Sequence, residues 1–327
     1  MINNKRILRT GALAAAMTIV FAIFAFRAAE WTKGLDSEFL VYGAASGGST
    51  GTGGTTGGAT TKVIAQIAAG FYGDVEPKAY GTVIEIVNPN STAVTVSGNF
   101  YNAEYPDPTK NGTPSTLKYG TNLSSPPAAT GISSDGFFTG SFSNVALPAY
   151  SILVIRVGTG PDTMPATGTT NWGQISASNT ISVGSFFELR HSANHVLYSR
   201  VGIPASRADM SSFVIPRVRE KQLTGSGLSD IETGFALVNT GSKAASVSAK
   251  VYDVNGNVVG SGSLLLAPNA HKAVFVNDSG TFNFLSPEPT GRQYHYILLS
   301  SDQPTIGAAS LAFEGGSLTS FPVDALQ

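Results

Sequence analysis

From residue 62 onward the apolar positions recur with a period of two, the spacing of strands that bury one face. In VNPNSTAVTVSGNFY, residues 87–101, Val94, Val96, Gly98 and Phe100 share a face, and a near copy, VNTGSKAASVSAKVY at 238–252, repeats it with Ala245, Val247, Ala249 and Val251. The offset is 151 residues throughout, with identity at Val87/Val238, Asn88/Asn239, Ser91/Ser242, Ala93/Ala244, Val96/Val247, Ser97/Ser248 and Tyr101/Tyr252. Chance would give roughly one match in such a stretch.

The repeat extends both ways. KVIAQI (62–67) answers FVIPRV (213–218), YGTVIEIVN (80–88) answers IETGFALVN (231–239), and LPAYSILVIRV (147–157) answers LAPNAHKAVFV (266–276). FFELRHSANHVLYSRV (186–201) is matched to HYILLSSDQPTIGAASL (295–311). Each unit reads as an opening strand, a hairpin, a proline-led strand and a closing hairpin, which predicts a sandwich of about seven strands with Greek-key connections. The expected fold class is all-β: two tandem immunoglobulin-like β-sandwiches, 62–205 and 210–327, after an N-terminal hydrophobic helix and a Gly/Thr-rich linker.

The phrase carried by Val238–Ser242, Tyr252–Gly256 and Ser301–Pro304 resembles the immunoglobulin-like repeats of bacterial secreted and cell-surface proteins, well over 210–327 and loosely over 62–205. That resemblance implies a β-sandwich in an extracellular setting. Its motifs are turn chemistry, and a fold does not transfer a function.

The units differ most at one hairpin. Tyr101 to Pro148 spans 47 residues and Tyr252 to Pro268 spans 16, so the first unit carries an insertion at about 102–146, beyond ordinary loop lengths. It contains Tyr105, Tyr119, Phe137, Phe138 and Phe142 among Pro, Ser, Thr and Asn. With Trp172, these are the candidate contacts for a glycan or another subunit; the competing expectation is an extra hairpin whose aromatics cover the sandwich's own edge.

Location is read from the N-terminus. Lys5, Arg6 and Arg9 precede the apolar run GALAAAMTIVFAIFAF (11–26), the order of an export signal. Small residues are missing from the −3 positions of the nearby cleavage options, and sixteen apolar residues flanked by Arg9 and Arg27 make a short anchor, so residues 1–29 are read as either a cleaved signal or a membrane tether. Residues 30–61 form a Gly/Ser/Thr-rich linker suited to a stalk.

Composition removes several function classes. Of the 327 residues 42% are hydrophobic and 13% charged, the net charge is −1, and no basic cluster lies outside the N-terminus, which disfavours nucleic acid as a partner. There is no cysteine, so disulfides, thiolate metal sites and a cysteine nucleophile are excluded. No hydrolase or metalloprotease motif involves the four histidines, His191, His195, His271 and His295. The His191/His195 pair reads as two residues at a hairpin with no third ligand. Asp253–Asn257 opens like a calcium loop but has Val258 and Leu264 where Gly and Glu belong, and reads instead as a hairpin turn with Asn255 and Gly256 both at positive φ.

The expected protein is therefore exported, non-enzymatic and free of cofactors and metals, a structural or adhesive component of a surface layer or filament. Its expected partners are further copies or other surface proteins. The alternative is a secreted carbohydrate-binding module using the insertion's aromatics.

Overall fold

The computed structural model describes residues 59–71, 78–191, 197–220, 231–275, 293–314 and 317–326. The N-terminal apolar run, nearly all of the linker, His195 and the side chain of His191 lie outside the described residues.

The first repeat contains β1 (Thr60–Ala69), β2 (Lys78–Val87), β3 (Val94–Asn102), β4 (Lys118–Thr121), β5 (Phe137–Thr139), β6 (Ser141–Leu147), β7 (Ile152–Val157), β8 (Thr169–Ala177), β9 (Ser182–His191), β10 (Leu197–Pro204) and β11 (Ser206–Arg207). Every pairing is antiparallel, and the pattern is nested: β1 with β8, β2 with β7, β3 with β6 and β4 with β5. One long hairpin has been rolled on itself, the winding of a jelly roll. The result is two facing sheets, β11-β1-β8-β3-β6 and β10-β9-β2-β7-β4-β5.

The second repeat uses the same winding with one rung fewer. Its strands are β12 (Ser212–Glu220), β13 (Ile231–Asn239), β14 (Ala245–Tyr252), β15 (Val258–Leu266), β16 (His271–Phe275), β17 (Gln293–Ser301), β18 (Ile306–Glu314), β19 (Ser317–Phe321) and β20 (Asp324–Ala325). Here β12 pairs with β17, β13 with β16 and β14 with β15, and the hairpin ends there. The pairing of β12 with β13 joins both halves of this sandwich into one nine-stranded sheet.

The described residues are thus almost entirely β and form two sandwiches. Their strand order has its own character, since the immunoglobulin arrangement keeps its first two strands in one sheet and here β1 and β2 face each other across the core. The ladder registers also correct one sequence match. Tyr101 pairs with Trp172 and Tyr252 with Tyr296, so β8 answers β17, and residues 186–201 answer the strands after Ile306 rather than 295–311. An aromatic at one position was too faint a signal to set that alignment.

Alternation drives the packing. Val94, Val96 and Phe100 on β3, and Ala245, Val247, Ala249 and Val251 on β14, are buried in their respective cores. The repeated asparagines explain the repeated phrase. Asn88 is fully buried, and its amide donates to the carbonyls of Thr92 (2.9 Å), Leu147 (3.1 Å) and Pro148 (2.8 Å). Asn239 does the same with Lys243 (2.7 Å), Leu266 (3.1 Å) and Ala267 (3.2 Å). One side chain thereby satisfies carbonyls at the corner where the chain crosses between sheets. A second repeated clip is Thr82, which donates to and accepts from the backbone of Ala68, as Thr233 does with Val218.

The hairpin at Asp253 differs from expectation. Among its residues only Gly256 has a positive φ (80°), and Asp253 Oδ1 accepts from the Asn255 and Asn257 amides at 2.9 and 2.8 Å. The carboxylate holds a three-residue loop ending in a left-handed glycine, so Asn255 need not enter that region.

Candidate functional site

The insertion is consumed by the first sandwich itself. β4 and β5 add the fourth rung beside β7, which turns Tyr119 and Phe138 inward. Tyr119, Phe138 and Phe142 are buried around Phe100, with ring centroids 4.5, 5.5 and 6.4 Å from it. Burial pushes the Tyr119 hydroxyl well above its usual pKa, and the group is satisfied by Ser115 and Asn171, both at 3.2 Å. Phe137 lies partly exposed under the Lys118 ammonium (3.8 Å), and Tyr105 is half-buried with its carbonyl bonded to Thr170. Tyr119, Phe138, Phe142 and Trp172 therefore offer no face to a ligand, which corrects their reading as stacking platforms. A short rung between irregular segments needs aromatics to close the core, and that composition looks like a binding loop.

The most elaborate cluster is the joint between the two sandwiches. Trp172 is fully buried there, stacked on Tyr101 (4.5 Å, 17°), and its indole N–H donates to the Asn269 carbonyl at 2.9 Å. Asn111 holds both backbone groups of His271, donating to its carbonyl and accepting from its amide at 2.8 Å each. Glu104 accepts from the Ala273 amide (2.8 Å) and from His271 Nδ1 (2.5 Å), and the Gln66 side-chain amide faces His271 Nε2 at 2.7 Å. Burial would raise the Glu104 pKa, but the His271 charge and hydrogen bond, the Ala273 amide and Lys272 together hold it below its ordinary value.

Local sequence explains how these groups meet. A bulge in β1 between Ile64 and Ile67 gives that strand an extra residue, which re-aims Gln66. Its counterpart β12 pairs with β17 without a break. Glu104 and Asn111 come from the first arm of the insertion, which has no equivalent in the second repeat. Around them Val63, Ala65 and Ala68 of the first sandwich pack on Ala236, Val238 and Ala309 of the second. The sheets approach closely because Gly307 sits against Val63, where an added Cβ would lie 2.6 Å from that side chain.

Comparisons with known proteins give little. No family model matches the chain, and no curated protein does. Among solved structures it is similar to a biofilm associated protein, BSP domain, at 9% identity and a TM-score of 0.21, over 85% of this chain and 62% of that one. It is also similar to a glycosyl hydrolase family 2 member from Bacteroides cellulosilyticus DSM 14838, at 8% identity and a TM-score of 0.14, over 77% of this chain and 28% of that one. The chain spans less than two thirds of either, and such scores carry no function across.

Sequence reasoning missed every polar member of the joint: Gln66, Glu104, Asn111 and His271. His271 and Gln66 are 205 residues apart and His271 and Glu104 are 167, with no local motif to link them. The available hint was the third histidine, His271, falling on a strand in the second unit where the first has Ile152.

Proposed function

We propose that this chain is an exported, non-enzymatic structural or adhesive protein of the cell surface, a two-sandwich unit displayed beyond a Gly/Thr-rich linker. The N-terminal order of charge and apolar run, followed by the Gly/Thr-rich stretch, supports export and display. The observation that carries the structural part is the joint. A buried Trp172, the ion pair of Glu104 with a buried His271 and an asparagine bridge tie the two repeats together, as suits an element that bears load or sets a spacing. The carbohydrate-binding alternative loses its support, because four of its six aromatics lie inside the core or the joint.

The test is surface labelling of intact cells with a membrane-impermeant amine reagent, followed by N-terminal sequencing of the recovered protein. Labelling at the exposed Lys243 or Lys250 is expected. Recovery of unlabelled protein solely from the cytosol would remove the proposal.

A further inference from the structure

Each half of the contact that joins the sandwiches has an exposed equivalent in the other repeat. In the first repeat the outer face of β3 and β8 carries the Tyr101/Trp172 stack, and the second repeat covers it with the turn before β16. By ladder register the same place in the second repeat is Tyr252 on Tyr296, stacked at 4.8 Å and 7°. There Tyr296 is 38% exposed, and Tyr294, two residues along the same strand face, is 54% exposed.

The covering turn is duplicated too. Asn88 and Asn239 donate their backbone N–H to Ser151 and Ala270 respectively, which places Tyr150 where the second repeat has Asn269. Both residues are left-handed, with φ of 55° and 56°. Asparagine visits that region readily, whereas a tyrosine there is an outlier. Tyr150 is nonetheless 73% exposed, beside Ile152 at 42%. A strained, displayed tyrosine has the profile of a contact anchor.

We propose that the Tyr252/Tyr294/Tyr296 face receives the Tyr150 turn of a second copy of this chain, repeating between molecules the contact already made once within each. The Tyr296 hydroxyl replaces the Trp172 indole as the donor to the turn's carbonyl. Further along the covering sheet Glu188 pairs with Arg190 and Arg200, and Glu85 with Arg200, while Arg156 of β7 is an exposed cation. Because the two surfaces differ, the contact is head-to-tail and builds a ring or an open fibre. This rests on the structural-protein reading and names its partner.

The test is light scattering and negative-stain microscopy of the full chain purified from its own cells, with Tyr150→Gly, which keeps the left-handed turn and removes the ring, and Tyr296→Ala, each checked for a single cooperative melt. The parent should assemble into multimers, and each variant should self-associate at least tenfold more weakly. Mixing the variants leaves one intact face on each and should give a 1:1 pair that grows no further. A monomeric parent, multimers that persist in both variants, or a monomer whose tyrosine face binds glycans and loses them in Tyr296→Ala would each overturn the proposal. Surface labelling could still succeed in those cases, so the two readings fail separately.

Discussion

The two sandwiches share their winding, their corner asparagines and their threonine clips, yet one register position separates them. Trp172 and Tyr296 occupy equivalent places on β8 and β17; the first is sealed in the joint and the second faces solvent. Around Trp172 the first repeat has acquired a strand bulge and an inserted arm, both supplying polar partners to the second repeat. A duplicated fold has become asymmetric by building one side of one contact. The stability of the pair is then expected to depend on which copy of a shared position is changed.

The sharpest way to break the comparison is to truncate the equivalent aromatics. Trp172→Ala should cost about 3–5 kcal/mol, through the cavity and the Asn269 carbonyl left without its donor. Tyr296→Ala should cost less than about 1.5 kcal/mol, since it removes a half-exposed stack. Urea denaturation of both variants checks this, and equal losses would show that the joint contributes nothing special.

The shared elements should respond alike. Asn88→Ala and Asn239→Ala each remove a buried amide from three carbonyls, at an expected cost of about 3 kcal/mol to the host sandwich. Similar drops in the two variants, followed by denaturation of each sandwich, would mark the asparagine as the common structural pin. A large inequality would mean that only one corner relies on it.

How much of this was legible follows from the range of each interaction. The strand faces and the repeated phrase were readable because period two and a corner asparagine are local features, and the insertion announced itself by length. Its role was not readable. Tyr119 and Phe138 lie in strands of four and three residues between Pro- and Ser-rich segments, so no alternation distinguishes a core rung from a display loop. The joint was invisible because it depends on an extra residue in β1 and on partners more than 150 residues apart. Sequence patterning also cannot choose between an immunoglobulin and a jelly-roll winding, since both need the same alternating strands and differ only in which ones pair.

The smallest expected effect concerns acid, and it isolates the joint from the sandwiches. Glu104 has no equivalent in the second repeat, and its pKa is lower in the folded chain than the ordinary value of 4.5. A group depressed in this way contributes its full stabilisation above the ordinary value. The contribution shrinks as pH falls below about 4.5 and is gone once the folded value is passed, because the unfolded chain takes up the proton first. The joint should therefore hold at neutral pH and loosen in acid, ahead of either core. Thermal melts at pH 7, 5 and 3.5 should show the parent losing stability most steeply over the last interval. Glu104→Gln, which keeps the shape and discards the charge, should start lower at pH 7 and show a flatter decline. If the variant declines as steeply as the parent, the acid sensitivity belongs to other carboxylates and the Glu104–His271 contact is only a packing contact.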